Sequence, residues 1–398
     1  MTAFDVEAVR SRFSSLETGF GFFDAPGGSQ VPDEVGQAIA NVLRDASANI
    51  GAPYPTGHRV DKILEDSKAA GARFFNCSPA EVVFGMNMTT INFSLTRVLG
   101  RELKAGDEIL VTRLDHDGNV APWVELADDL GLVITHIDIN ADSTLDLDDL
   151  QSKLSERTKV VSFPWASNVI GTLVDAKRVC ELAHSVGALA WVDAVHYAAH
   201  EPMDVQAIDA DVVLCSPYKF CGPHLGMAYV RESLGKTWRP YKARPSASVP
   251  TARKFETGTL PYELLGGLLA TFAYLDEIGG MAAIRAYERA LGAQFLAGLP
   301  EGTTVYGLPT MEGRVPTFLL NLEGIPAPDV SLALAARDMG VWAHDTYYAL
   351  GLYPRLGYDQ AVRLGFIHYN SVDEVDRLNA ELAKLAERAP RTSTAAAH

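Results

Sequence analysis

Residues 188–226 read ALAWVDAVHYAAHEPMDVQAIDADVVLCSPYKFCGPHLG. Two short apolar runs, ALAWVDA and DVVLCS, stand in this stretch, each too brief for a helix and each ending in polar or small residues. Such runs read as strands buried on both faces, the pattern of a parallel sheet. Asp193 closes the first run, and Lys219 follows closely on the second. In open sheets of this kind ligands gather at the carboxyl ends of the strands, so both side chains fall where a site is expected.

The same pattern extends on both sides. VVFG (82–85), EILVT (108–112), LVITHI (132–137), KVVSFPW (159–165) and GMAYV (226–230) alternate with stretches of helical period such as 122–130 and 176–186. This predicts an α/β domain with a mostly parallel sheet. Beyond Pro261 the helical run LLGGLLATFAYLDEIGG leads into a segment with fewer strand signals, and the charged helix SVDEVDRLNAELAKLAER closes it. A smaller C-terminal domain follows from that change of pattern. The final APRTSTAAAH has no pattern that could bury a surface, and disorder is expected there.

With 398 residues and 47% hydrophobic content, two domains are the default and both cores can be filled. A formal net charge of -16 argues against nucleic acid or an anionic membrane as partner, since such binding needs clustered cations. MTAFDVEAVRSRF lacks the basic-then-apolar order of a secretory signal, and no later apolar run could span a bilayer. A cytoplasmic protein is expected. Cys77, Cys180, Cys215 and Cys221 show no paired CxxC spacing, which fits reduced core thiols and no metal site.

A lysine at a strand end is, taken alone, more often a solvated charge. If desolvated, it becomes an amine able to form a Schiff base with a carbonyl. An aspartate after an apolar strand often caps the next helix. Buried, it needs a cationic partner, and a protonated pyridine nitrogen is one. Asp193 and Lys219 on two strand ends of one sheet are more specific than either alone.

These segments resemble the class V aminotransferase and cysteine desulfurase family of fold type I enzymes that use pyridoxal 5'-phosphate. The resemblance runs from FFDAPGGSQVP to VRLGFIHYNSVDEVDRL, with its motifs in the family's order. It implies a large domain (21–265) with a mostly parallel seven-stranded sheet, a smaller α+β domain (266–388), an N-terminal segment (1–20) packed on the small domain, and a tail (389–398). Lys219 then carries the cofactor as a Schiff base, and Asp193 faces the ring nitrogen. His116, in TRLDHDGNVAPW, matches the histidine that stacks on the ring and moves protons. Asn168 matches a residue near the ring hydroxyl, and His196 stands where desulfurases usually carry glutamine. Asn87, Met88 and Thr89, at a strand-to-helix turn, are the candidates for the phosphate, helped by Ser216. Tyr218 replaces a customary histidine. Thr259 matches a residue given to the neighbouring subunit's phosphate, which implies a homodimer with shared sites. Arg363 matches the arginine that clamps a substrate α-carboxylate.

One departure stands out. In GVWAHDTYYALGLYPRLG, where a desulfurase places its attacking thiol, Tyr347 and Tyr348 occupy the region and no cysteine is present. Cys221, two residues past Lys219, sits on a loop expected to be fixed, whereas persulfide chemistry needs a mobile accessible thiolate. The resemblance implies a small α-amino acid substrate processed through an external aldimine and a Cα carbanion. A desulfurase-like lyase performing C–S β-elimination is favoured. An epimerase like isopenicillin N epimerase and a class V aminotransferase are the alternatives, and a non-catalytic scaffold is the alternative of another class.

Overall fold

The computed structural model describes residues 4–244 and 252–388; the tail expected at 389–398 lies outside them. Strands β1 (Gly21–Phe22), β2 (Val82–Gly85), β3 (Glu108–Thr112), β4 (Val133–Ile137), β5 (Thr158–Pro164), β6 (Leu189–Asp193), β7 (Val212–Cys215) and β8 (Gly226–Val230) come first. The later strands are β9 (Thr303–Tyr306), β10 (Thr317–Leu322), β11 (Met339–Gly340), β12 (Trp342–His344) and β13 (Ala361–Gly365).

Seven strands form one sheet in the order β2-β8-β7-β6-β5-β3-β4. The pairs from β7 through β4 are parallel, and β8 alone runs against its neighbours β7 and β2. The chain therefore has the expected α/β architecture, with its mostly parallel seven-stranded sheet. The reason lies in composition: β6, β7 and β8 are buried along nearly their whole length, so both faces must be covered. On one face Trp191 meets Trp123 edge-on, with centroids 4.9 Å apart. Phe163, Val192 and Val213 fill the opposite layer. A second, antiparallel sheet of order β12-β13-β10-β9 packs its own apolar layer of Phe318, Leu320, Val362 and Leu364 against the helices Gly280–Ala297 and Val372–Arg388.

The chain's first described residues lie on C-terminal elements: Phe4 stacks on Tyr287 at 4.5 Å and Arg10 pairs with Glu374 at 3.1 Å. Among the described residues no single helix is long and apolar enough to cross a membrane. The helices Tyr262–Glu277 and Gly280–Ala297 reach that length and composition only together, across a 68° bend.

Local chemistry at helix starts prepares the site. Asn87 caps the helix Met88–Leu99 by accepting from the Thr90 N–H, and His116 caps Asp117–Leu130 through Nδ1, which accepts from Gly118 N–H at 2.9 Å. Pro122 lies inside that second helix and cannot donate to the carbonyl four residues back. Asn92 supplies the missing donor, its amide reaching the Gly118 carbonyl at 3.1 Å.

Candidate active site

A cavity of about 720 Å³ opens at the carboxyl ends of β5, β6 and β7 and is closed from the other side by β12 and β13. Its volume falls within the roughly 300–1,000 Å³ common for cofactor and small-molecule sites. It gathers Asn87, Met88, Thr89, His116, Asn168, Asp193, His196, Ser216, Tyr218, Lys219 and Arg363, so eleven of the twelve residues singled out in the sequence share one space. Thr259 is the exception: it is exposed and lines a second cavity with Lys242 and Arg253.

Lys219 is buried, and its amine donates to the Pro26 carbonyl. Burial, and next the Arg363 guanidinium, push the amine down to about 7 against the pull of Asp193 and Asp24. A substantial share of it is therefore neutral and nucleophilic near neutral pH. Arg363 is also buried; it donates to the Asn168 carbonyl at 3.0 Å, lies 4.3 Å above the Tyr347 ring, and has no carboxylate in ion-pair range among the described residues. Burial holds its pKa down to about 10. Asp24 pulls against that shift without reaching ion-pair distance, so an arriving anion would relieve a guanidinium buried at a cost.

Asp193 accepts from the Val195 N–H at 2.8 Å, and burial raises its pKa. Asp115 lies close enough to Asp193 to feel its charge; burial first, and then that charge, raise its pKa well above the usual carboxylate range. Asp115 accepts from Asn119 at 2.9 Å with one oxygen, and its other oxygen is buried without a partner. Of the two carboxyls, Asp193 is the one that lines the cavity and that a cation there could pair with. His116 is pushed down to about 4 by burial and then by Lys219 and Arg363, so it is a neutral ring whose Nδ1 is occupied by its cap.

On the other flank, the Ser216 hydroxyl accepts from the Met88 N–H at 3.0 Å, and the Thr89 N–H has no partner among the described residues. An open amide at the start of a twelve-residue helix, with a hydroxyl beside it, is a place for an anion. The site thus offers an amine poised as nucleophile, a carboxylate needing a cation, an anion cradle and a free guanidinium. Each matches one part of pyridoxal phosphate or of an amino acid joined to it, so the residues present fit that cofactor.

The segment without a thiol has a definite structure. The Tyr347 hydroxyl donates to the Ala361 carbonyl at 2.6 Å, lies 3.0 Å from that of Trp342, and accepts from the His344 and Arg363 N–H groups. Tyr347 and Tyr348 both adopt left-handed backbone, at φ 49° and 61°, a conformation costing bulky residues about 1–3 kcal/mol each. Tyr348 is exposed, its ring 5.5 Å from that of His116. None of the cavity's lining residues is a cysteine. Cys221 is buried with its thiol pushed up by burial, and its N–H is tied to the Ser29 hydroxyl at 2.7 Å.

Sequence reasoning missed three contributors. Asp115 precedes His116 directly and could have been found as a second carboxylate; Pro26 lies in the FFDAPGGSQVP segment without any sign of its contact with Lys219, and Thr317 carries no local signal.

Comparison with known proteins gives a consistent result. The family model described as Aminotransferase class-V matches residues 21–378. An aminotransferase-like protein, FGM3, of Gibberella zeae is 32% identical over 95% of this chain and 97% of its own length. A probable cysteine desulfurase of Mycobacterium leprae is 31% identical over 96% of each chain. Among solved structures, a cysteine desulfurase from Thermococcus onnurineus NA1 superposes with a TM-score of 0.90 at 26% identity, covering 96% of this chain and 98% of that one.

Proposed function

The chain belongs to the class V aminotransferase family of pyridoxal phosphate enzymes, and we propose that it is a lyase that removes a β-substituent, sulfur foremost, from a small α-amino acid. The observation carrying this reading is the meeting, in one cavity, of the buried Lys219 amine and the buried Arg363 guanidinium, which has no carboxylate within ion-pair distance among the described residues. When bound, the cofactor supplies an aldehyde that captures the substrate amine and a ring that accepts the electron pair released at Cα.

The chain's own residues do the rest. Lys219 Nζ would hold the cofactor's aldehyde carbon and, as a free amine, would take the proton from Cα. Arg363 receives the α-carboxylate on its planar fork and so orients the Cα–H bond. Asp193 keeps a proton on the ring nitrogen. With the cofactor bound, His116 would lie against its ring, and the Thr89 N–H with Ser216 would hold the phosphate. Tyr218, beside Lys219, and Asn87, Met88, Asn168 and His196 also line the cavity.

Direct elimination from cysteine breaks Cα–H and Cβ–S and, with one water, yields pyruvate, ammonia and sulfide. It requires no protein thiol, in keeping with the pinned Tyr347 segment. Sulfide and pyruvate formed together from cysteine by the loaded protein test the reading; a product retaining sulfur, or a D-amino acid, overturns it. Inversion at Cα is the second reading, because His116 and Tyr348 line the same cavity as Lys219 and offer a further proton carrier. A scaffold without catalysis is distinguished by absorbance: the loaded protein shows a visible band that borohydride removes only if Lys219 holds the cofactor. We also propose a homodimer in which Thr259, with Lys242 and Arg253 beside it, reaches the partner's phosphate; a monomer by light scattering would count against this.

A further inference from the structure

His196 lines the cavity with one ring nitrogen unspoken for. Its Nε2 lies 2.8 Å from the Thr317 hydroxyl, while Nδ1 is buried and meets no group among the described residues. The ring stands edge-on to His200, centroids 5.1 Å apart at 73°. His200 is in turn fixed by Glu288, Nδ1 to Oε2 at 2.7 Å. All four side chains are buried, so the ring is held from behind by elements of the C-terminal part of the chain.

Thr317 settles which nitrogen carries the proton. A hydroxyl has one proton to place and two lone pairs. Among the described residues His196 Nε2 is the only partner of this one. Were Nε2 the donor, the Thr317 proton would be stranded in a buried setting, the costlier fault; with Thr317 donating, only an oxygen lone pair is idle. Burial first, and then the charges of His200, Lys219 and Arg363, push the His196 pKa well below its ordinary value, so the ring is neutral. A neutral ring accepting at Nε2 bears its proton on Nδ1.

The sheet order says what that proton meets. Lys219 and Ser216 follow β7, and Met88 and Thr89 follow β2, all on the β7-β8-β2 side; His196 follows β6 and Asn168 follows β5, on the other side. In pyridoxal phosphate the phosphate arm and the phenolic oxygen flank the aldehyde carbon on opposite sides. With the phosphate toward Ser216 and Thr89, the phenolic oxygen falls toward His196 and Asn168. Asn168 already spends an amide N–H on the Tyr347 carbonyl at 3.1 Å.

We propose that Thr317 is a positioning residue that locks His196 as the Nδ1–H tautomer, supplying the donor to the phenolic oxygen of the cofactor. This deepens the pyridoxal phosphate reading and rests on it. The test begins on the apoprotein, labelled with 15N-histidine, where His196→Gln assigns the His196 signals. The wild type should show Nδ1 protonated and Nε2 bare; Thr317→Ser should keep that pattern, and Thr317→Val should lose it. In the cofactor-loaded protein Thr317→Val should raise the pH midpoint of the visible band by about one unit, since a phenolate robbed of its donor holds the shared proton more tightly. Thr317→Ser should leave that midpoint in place. An Nε2–H tautomer in the wild type overturns the proposal even if the valine variant fails to fold. So does an unchanged tautomer, or an unchanged midpoint, in a folded Thr317→Val. A normal apoprotein spectrum with no visible band on adding cofactor would sink the cofactor reading and the assigned acceptor, leaving the hold of Thr317 on the tautomer intact.

Discussion

Arg363→Met removes the guanidinium and keeps most of the side-chain volume, which makes it a sharp probe of carboxylate binding. Arg363 already gives one N–H to the Asn168 carbonyl at 3.0 Å and has no carboxylate partner among the described residues, leaving the remainder of its fork for a ligand. A hydrogen bond to a charged group contributes about 1.5–3 kcal/mol, and two of them, discounted for the water they displace, come to about 3 kcal/mol. At about 1.4 kcal/mol per tenfold, the wild type should bind alanine roughly a hundredfold more tightly than ethylamine, which lacks only the carboxylate. Spectral titration of the loaded protein with both amines measures this directly. In Arg363→Met the two affinities should fall within about threefold of each other, and Arg363→Lys, which keeps charge but loses the fork, should lie between. Because the lost charge is itself buried at a cost, folding should not suffer, and a thermal melt checks that. If alanine keeps its full advantage over ethylamine in a folded Arg363→Met, the carboxylate sits elsewhere and the orientation given to the substrate is wrong.

Lys219→Ala should abolish the borohydride-sensitive visible band while the protein still retains cofactor by equilibrium dialysis, since Asp193 and the phosphate cradle do not depend on the amine. Asp193→Ala should keep that band but slow exchange of the substrate Cα proton with deuterium by about two orders of magnitude or more; unchanged exchange removes Asp193 from its role. The rate at which apoprotein captures cofactor should rise as pH passes through about 7 and level off above it, because only the neutral Lys219 amine attacks and its pKa is depressed; a rise continuing to the ordinary lysine range would contradict the burial argument. A variant with all four cysteines replaced by serine or alanine, shown to be folded, should keep turnover, and rescue of a dead variant by Cys221 alone would establish a thiol mechanism.

The seven-stranded sheet was readable because most of its strands are dominated by apolar residues and the intervening helices are not; each of the seven runs picked out between 82 and 230 became a strand of that sheet. Asp193 and Lys219 were readable for the same reason, since a charge at the end of an apolar run is conspicuous. What escaped depends on contacts that no local pattern encodes. Thr317 meets His196 across 121 positions, and Pro26 meets Lys219 across 193. The anchoring of the Tyr347 segment left no sign in the sequence: it comes from a phenol oxygen that β12 and β13 surround. Thr259 shows the opposite limit, a residue whose expected role needs a second chain.

The anchoring of Tyr347 also bears on what sulfur transfer would demand of this fold. A transferable sulfur atom has to be carried outward on a tether, and the tether must let go of the wall between visits. Here the wall is fastened to two strands through one oxygen, so writing a cysteine at Tyr348 or Ala349 would produce a fixed thiol and not a carrier. Acquiring transfer chemistry would take a lengthened or released loop as well as a new sulfur, two changes of which neither is useful alone. An engineer seeking transfer chemistry would therefore begin with the loop.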